Sequence, residues 1–420
     1  MKVYKFGGAS VKDAAGVRTV CQIVGATEGK LLIVVSAMGK TTNALEEVVS
    51  FVYNHQKTEA LQALDAIRKY HYGIIEDLFP TGHIFLQNKI EQILQLATDI
   101  INSDINHISE DELYDQIVSI GELISTRIVT YALDRGGVEN TYLLMPTLLR
   151  TDNTYREAKI DIEVSEKLLR TMLRQVDKRV CVAQGFIGGT ADGKRTTLGR
   201  EGSDYTAAVL ANILQAESVT IWKDVPGILN ADPRIVKDIV LIPELSYYEA
   251  VELAYSGAQV IHPKTIRPLE NKHIPLYVRP FSNPQAPGSI ITNTDKKIDV
   301  PVLIWRKNQI LITIRPDNFS FVLEECLNQV FEIIHRYRLK VSLIQSSAVT
   351  ISISVDNCNR VMPAIKELQQ AYRVSYNTDL ELLTIRGSEE NIISGQIADR
   401  KILLEQRTRR TARFLMEKEE

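Results

Sequence analysis

A glycine-punctuated stretch between residues 185 and 206 constrains this chain more than any other. It reads Gly185-Phe186-Ile187-Gly188-Gly189, a polar turn, then Thr196-Thr197-Leu198-Gly199-Arg200-Glu201-Gly202-Ser203-Asp204-Tyr205-Thr206. The apolar run 180–183 precedes it and the alanine-rich run 207–211 follows. The pattern predicts a strand, a glycine loop and a helix whose first turn carries Ser203 and Asp204. A helix N-terminus exposes unpaired N–H groups and the positive end of the dipole, which suit an anion. Arg200 adds a planar cation that can grip a carboxylate through two parallel hydrogen bonds. Asp204 adds the opposite charge, suited to an ammonium group or a metal. One short loop thereby offers a partner to each charged end of an amino acid. Ordinary strand–helix capping would use the same residue types.

Other strand ends repeat the theme. Residues 3–6 predict a short strand that stops at Gly7-Gly8, where two glycines let the backbone approach a bulky anion. Lys5 lies within reach of the same anion. Residues 31–35, Leu-Leu-Ile-Val-Val, are apolar throughout, as in a parallel strand covered on both faces. They lead into Ser36-Ala37-Met38-Gly39-Lys40-Thr41-Thr42-Asn43. Gly39-Lys40-Thr41 is not a Walker A loop, because the glycine required five residues earlier is Val34.

From 44 to 132 the period is helical, broken at Pro80-Thr81-Gly82 and around 102–109, with a capping box at Ser109-Glu110-Asp111-Glu112. Glu122 follows Gly121 in a mainly apolar stretch; on the residues alone, a solvated helix face is the ordinary expectation. Residues 142–145 read as a strand, 152–161 as a loop and 164–174 as a helix. A strand at 218–222 runs into a long ordered loop from Lys223 to Arg234, marked by Pro-Gly and Asp-Pro. Residues 246–254 read as a helix. His262 precedes Pro263, which favours extended geometry and a structural role. Residues 276–278 are expected to be the last strand of this region.

Strands alternating with helices over about 290 residues predict one α/β domain with a mostly parallel sheet. Its anion loops should gather at the carboxyl ends of the strands. Beyond about residue 295 the pattern changes to strand (310–314), helix (323–334), strands (341–344 and 349–355), helix (360–371) and strand-like runs near 373 and at 380–385. That βαββαβ order is ferredoxin-like. It supplies no catalytic spacing and reads as a binding or association module.

Composition narrows the class. A formal net charge of −3 gives no sign of a nucleic-acid or membrane partner. Cys21, Cys181, Cys326 and Cys358 are far apart and form no C-x-x-C pair, which argues against a metal site and for a reducing compartment. The N-terminus has no signal-peptide pattern, and no apolar run approaches the ~18 residues of a membrane span. A cytoplasmic protein is expected.

Three stretches then carry a resemblance. Lys5-Phe6-Gly7-Gly8-Ala9-Ser10-Val11, Leu198-Gly199-Arg200-Glu201-Gly202-Ser203-Asp204, and Trp222-Lys223-Asp224-Val225-Pro226-Gly227-Ile228 continuing to Ala231-Asp232-Pro233-Arg234 resemble the motifs of the aspartate kinases (aspartokinases). Ser119-Ile120-Gly121-Glu122-Leu123-Ile124-Ser125 and His262-Pro263 fit as well. The likeness spans the chain, since that family appends ACT-type regulatory modules of βαββαβ form. It implies an α/β amino-acid-kinase three-layer sandwich over 1–295 and a ferredoxin-like, ACT-type regulatory domain over 296–420. The second ACT repeat looks abbreviated, with only Ile392-Ile393 and Ile402-Leu403-Leu404 strand-like after Arg386. A monofunctional member is expected, without a fused homoserine dehydrogenase after Glu420.

The implied reaction moves the γ-phosphoryl group of ATP to the β-carboxylate of L-aspartate, giving 4-phospho-L-aspartate for lysine, threonine and methionine synthesis. No general base is needed, because the attacking carboxylate is ionised at neutral pH. By position, Lys5 and Asp204 are the catalytic residues, Lys5 stabilising the transferred group and Asp204 orienting substrate. Thr42, Glu122, Arg200 and Ser203 are the substrate contacts, Glu122 on the amino group and Arg200 on the α-carboxylate. Lys5, Gly7, Gly8, Lys223, Asp224, Leu229, Arg234 and Gln259 fall on the nucleotide side. Mg²⁺ would arrive with ATP, held by phosphates and water, with no protein metal site.

The chain departs from the family pattern at Ala9 (usually Thr), Glu201 (usually Gly), Leu229 (frequently Tyr) and Gln259 (frequently Lys). Lysine-inhibited members tend to carry acidic residues where this chain has Ser342 and Ala348, so threonine rather than lysine is the expected effector, with a homodimer formed through the ACT-like region. The rival readings are a kinase of the same fold acting on glutamate, acetylglutamate or UMP, and a catalytically silent amino-acid sensor.

Overall fold

The computed structural model describes residues 1–236, 238–258, 261–316, 324–387 and 390–418. The chain gathers into two units. Met1–Ile228, Leu241–Val251 and Val260–Lys297 form the first; Leu229–Val240, Glu252–Gln259 and Ile298–Glu420 form the second.

The first unit is built on an eight-stranded sheet in the order Glu244–Ser246, Ser289–Thr292, Leu276–Pro280, Ser218–Lys223, Lys2–Phe6, Leu31–Val35, Val180–Gln184, Asn140–Leu143. Every pairing is parallel except that of Leu276–Pro280 with Ser289–Thr292. The apolar run Leu31–Val35 is fully buried, as a doubly covered strand requires. Leu31, Ile33 and Val35 point into one apolar cluster with Val17, Val20, Leu45, Val48, Ile124 and Ile128 from three helices. Helix Gly202–Leu214, outside that cluster, packs on Lys2–Phe6, Leu31–Val35 and Ser218–Lys223. The result is a sheet between two helical layers.

Register brings the functional loops level. Phe6 pairs with both Val35 and Trp222, and Val35 pairs with Gln184. The chain therefore leaves these parallel strands at one carboxyl rim.

Three expectations change here. The stretch 185–206 is more than a loop: Ile187–Gly189 and Arg195–Thr197 pair as a small hairpin before helix Gly202–Leu214 begins. Residues 276–278 are not the last strand, because Ser289–Thr292 follows and pairs antiparallel. The predicted helix through 109–132 is two helices, Glu110–Val118 and Ile120–Arg135, that meet at Ser119. The Ser109 cap holds, its Oγ accepting from the Glu112 N–H at 3.1 Å. Among the described residues no helix is long and apolar enough to cross a membrane.

The second unit is a six-stranded antiparallel sheet in the order Val341–Ser346, Ile351–Asp356, Val302–Pro316, Tyr372–Arg386, Thr411–Glu417, Ile402–Arg407. Its βαββαβ half uses helices Glu324–Arg336 and Val361–Leu368, as the sequence predicts. The strands Val302–Pro316 and Tyr372–Arg386, each 15 residues long, serve both halves of the sheet. The register of Val302–Pro316 shifts at a bulge between Arg306 and Gln309, where Asn308 has φ +55°. Ile392-Ile393 is not a strand: it lies in helix Glu390–Ile397, with Ile393 buried in the cluster that holds Phe414. Ala231, Val236 and Ile239 join that same cluster beside Leu303 and Leu383. Leu303 N–H also donates to the Asn230 carbonyl at 2.8 Å. These contacts explain why 229–240 belongs to the second unit.

Candidate functional site

At the carboxyl rim of the first unit lies a cavity of about 470 Å³, lined among others by Lys5, Thr42, Glu122, Arg200, Ser203, Asp204 and Lys223. Strand Lys2–Phe6 places Lys5 one residue before its end, and strand Ser218–Lys223 places Lys223 at its last position. Both ammonium groups converge on Asp204 in the first turn of helix Gly202–Leu214: Lys5 Nζ is 2.7 Å from Oδ1 and Lys223 Nζ is 3.3 Å from Oδ2. Burial pushes the Asp204 carboxyl up, but the two lysines outweigh it and hold the group below its ordinary range. Asp204 is thus a buried carboxylate that fixes two cations side by side.

Glu122 corrects the expectation of a solvated face, being only 2% exposed. Gly121 makes this possible. A Cβ there would stand 2.9 Å from Ala37 Cβ and 3.2 Å from Leu45 Cδ1, so only glycine lets helix Ile120–Arg135 close on the 36–41 loop. Glu122 Oε1 then accepts the Ala37 N–H at 3.0 Å. Oε2 is buried without a hydrogen-bond partner. Burial pushes the carboxyl up to about 8, against the opposing effects of the Ala37 N–H and Lys5.

The glycine loops are tightly seated. Gly8 has no room for a side chain, since a Cβ would meet the Ala37 carbonyl at 2.7 Å; Gly39 N–H donates to the Gly8 carbonyl at 3.0 Å. A Cβ on Gly7 would lie 3.3 Å from Lys5 Nζ. Thr42 stands in the first turn of helix Thr41–Tyr53. Two residues that carry side chains hold left-handed backbone beside the cavity, Phe186 (φ +68°) and Glu201 (φ +52°), and such strain clusters at functional sites. Arg200 is exposed and pairs with no group among the described residues.

The remaining expected nucleotide residues are not gathered at this cavity. Asp224 is exposed just past its strand. Leu229 and Arg234 belong to the second unit, where Arg234 pairs with its neighbour Asp232 at 2.6 Å. Gln259 lies outside the described residues. His262 has the structural place expected of it, capping helix Pro263–Glu270 with its Nδ1 accepting from the Lys264 N–H at 3.1 Å.

Sequence reasoning missed one wall of the cavity, formed by Glu46, Tyr114 and Arg156. Tyr114 OH donates to Glu46 at 2.8 Å, and the Arg156 guanidinium lies 4.3 Å from the centre of the Tyr114 ring. Asp115 braces this wall from behind. It accepts from Thr197 N–H (2.7 Å), Thr197 Oγ1 (2.6 Å) and the Arg156 N–H (3.1 Å), and its carboxyl is pushed up to about 6 by burial despite those bonds. In the sequence Asp115 is one acid among Glu110, Asp111 and Glu112, and nothing there signals its burial or this wall. Among the described residues no cluster of His, Cys, Asp or Glu is arranged to hold a metal.

A converging pair of lysines, a buried half-satisfied glutamate and a free arginine on a glycine loop share one cavity at the rim of a parallel sheet. Residues 1–280 match the model of the "Amino acid kinase family". The chain belongs to the amino acid kinase family. Within that family it falls among the aspartokinases. It is 33% identical to lysine-sensitive aspartokinase 3 of Escherichia coli (strain K12) across 92% of this chain and 87% of that protein. It is 32% identical to a chloroplastic bifunctional aspartokinase/homoserine dehydrogenase 2 of Arabidopsis thaliana across 71% of this chain, but spans only 34% of that longer enzyme. Its fold is similar to the crystal structure of E. coli aspartokinase III in complex with aspartate and ADP, R-state, with TM-score 0.85 and 30% identity over 99% of this chain and 96% of the other. The T-state structure of the same protein with lysine and aspartate gives TM-score 0.80 at 30% identity over 99% and 95%.

Proposed function

We propose that the chain transfers the γ-phosphoryl group of ATP to the β-carboxylate of L-aspartate, yielding 4-phospho-L-aspartate and ADP, the opening step toward lysine, threonine and methionine. The observation that carries this reading is the unpartnered Glu122 Oε2, buried in a cavity that also offers the free Arg200 guanidinium. A buried acceptor without a partner is costly unless a ligand supplies the missing donor. An α-ammonium group would supply it, and would draw the Glu122 proton off by favouring the carboxylate. Arg200 then takes the α-carboxylate in a bidentate grip, with Thr42 and Ser203 along the remaining substrate.

In the transfer itself an oxygen of the β-carboxylate bonds to the γ-phosphorus as the bridging P–O bond breaks, and ADP leaves with that electron pair. No proton has to move at neutral pH. The work is alignment of two anions and neutralisation of charge spreading over the transferred group. Lys5 serves the transferred group, with Gly7 and Gly8 letting the backbone approach the phosphates. Asp204 keeps the Lys5 and Lys223 ammonium groups in place rather than acting as a base. Both Asp204 oxygens already face lysines, so Mg²⁺ fits here as an ion carried by the nucleotide phosphates and water. Asp224, Leu229, Arg234 and Gln259 are assigned to the nucleotide side.

We further assign the second unit to regulation, in a cytoplasmic homodimer, with a domain boundary near 295/296 that 229–240 and 252–259 cross by belonging to the second unit. Strand Val341–Ser346 is an edge of its sheet and exposes Ile344, which favours pairing with a second copy. Ser342 is buried and Ala348 is exposed in the following turn; neither brings the negative charge a lysine effector needs. An effector with a neutral side chain, threonine rather than lysine, suits this surface.

Trapping the acyl phosphate with hydroxylamine tests the catalytic reading. Aspartyl hydroxamate should form with ATP and L-aspartate; turnover of glutamate, acetylglutamate or UMP with no hydroxamate from aspartate would replace it.

A further inference from the structure

The loop that carries Arg200 is held from outside itself. Glu201, the next residue, caps helix Gly202–Leu214 with a left-handed backbone at φ 52° and ψ 31°. That conformation disfavours any residue with a Cβ, and glycine would adopt it freely. Here the side chain makes a bond that glycine lacks: Glu201 Oε2 accepts the His262 N–H at 2.9 Å. Two residues further on, Lys264 Nζ donates to the Leu198 carbonyl at 2.9 Å and lies 4.6 Å from the centre of the Tyr205 ring. His262 and Lys264 belong to one turn, since His262 is the N-cap of helix Pro263–Glu270 and its ring accepts the Lys264 N–H. A single helix start therefore pins the loop on both sides of Arg200, at Leu198 before it and at Glu201 after it.

Arg200 needs such a restraint. It follows Gly199, whose φ is +75°, and its guanidinium has no partner among the described residues. Within the loop a backbone hydrogen bond from the Gly202 N–H to the Gly199 carbonyl at 3.0 Å closes the turn around Arg200, but it does not hold the side chain.

We propose that Glu201 and Lys264 are positioning residues for Arg200, clamping its loop to the first turn of helix Pro263–Glu270 so that the guanidinium is preorganised for the substrate α-carboxylate. This rests on the aspartate-kinase reading above, in which Arg200 binds that carboxylate.

The test is steady-state kinetics on the full chain with aspartate and ATP varied separately. Glu201→Gly relieves the left-handed backbone and should fold at least as well as the parent, so a loss of folding does not cloud it. It should raise the aspartate KM about five- to ten-fold, the size of one ordinary hydrogen bond lost from the restraint on Arg200, while kcat and the ATP KM stay within about two-fold. Glu201→Gln keeps an acceptor oxygen for the His262 N–H and should restore a near-parental aspartate KM. Lys264→Met should act in the same direction as Glu201→Gly. In an Arg200→Ala background, Glu201→Gly should add nothing further to the aspartate KM, because the group being positioned is gone. A parental aspartate KM in Glu201→Gly, an equal rise in the ATP KM, failure of Glu201→Gln to rescue, or full additivity with Arg200→Ala would each overturn the clamp. A parental enzyme that does not phosphorylate aspartate would overturn the underlying reading as well, and the unmutated control alone reveals that case.

Discussion

The Lys5 ammonium group stands 2.7 Å from Asp204 Oδ1, with 11% and 3% of the two side chains reaching solvent. Asp204 also faces Lys223, so its removal leaves two crowded cations, whereas removal of Lys5 leaves Asp204 with one partner. Asp204→Ala should therefore cost roughly 3–5 kcal/mol of stability, as stripping one partner from a buried charge cluster does. Lys5→Met should unfold at a denaturant concentration nearer the parent's yet lower kcat by about 10²–10³. Urea unfolding and the hydroxamate assay separate the two effects; equal destabilisation by both substitutions would contradict the shared-partner geometry.

Substrate contacts should divide by end group. Glu122→Gln should weaken aspartate binding by roughly 2–5 kcal/mol, the range for breaking one side of a buried charge pair, and Arg200→Ala, at an exposed guanidinium, by roughly 1.5–3 kcal/mol. The ATP KM should change far less. Near-parental aspartate KM values in both variants would show that the amino acid lies elsewhere.

Glu122 predicts a pH dependence with a definite sign. Its folded value of about 8 lies above its ordinary 4.5. Between those values the folded chain keeps a proton that the unfolded chain has released. Stability without substrate should therefore be highest below about pH 4.5 as far as this group is concerned, fall as pH rises toward 8, and level off above. Aspartate affinity should move the opposite way, improving as pH climbs through the same window. Comparing melting temperatures of the parent and Glu122→Gln from pH 5 to 9 isolates this term: the variant should lose that slope, and parallel curves would refute the assignment.

Gly121→Ala tests how the helix delivers Glu122. The new methyl would meet Ala37 Cβ at 2.9 Å and Leu45 Cδ1 at 3.2 Å. Overpacking of this kind costs about 1–3 kcal/mol, and it pushes the helix from the Ala37 N–H that Glu122 accepts. Stability should fall and aspartate KM rise together. A fall in stability with an unchanged KM would separate packing from binding.

For the second unit, light scattering should find a dimer, weakened by Ile344→Lys on the edge strand. Lysine should inhibit weakly and threonine more strongly. A monomeric parent would sink the dimer, and potent lysine inhibition would sink the effector assignment.

What could be read from the sequence was what local pattern encodes. Leu31–Val35 has no polar residue to place on an exposed face, so its burial on both sides was legible. The glycines, Arg200 and Asp204 announced a ligand loop because few other roles need those residues together. The hairpin Ile187–Gly189 with Arg195–Thr197 was not legible, because its buried Thr196 and Thr197 look like loop residues until Asp115 satisfies one of them. Ile392-Ile393 fits either period over two residues, and only the Phe414 cluster makes it helical. Glu46, Tyr114 and Arg156 come from three separate segments that no motif links, so the cavity wall they form exists only in tertiary structure.

The sharing of residues between units has an evolutionary side. Ala231, Val236 and Ile239 arise in the middle of the catalytic sequence yet help fill the core that contains Leu303, Leu383 and Phe414. The two units are therefore interleaved along the gene rather than joined end to end. A stop codon or protease cut after Lys297 would strand these apolar side chains, and a C-terminal module exchanged for another would have to match two segments, 229–240 and 252–259, written earlier in the sequence. The second unit is therefore expected to diversify by substitution in place, not by recombination of whole modules.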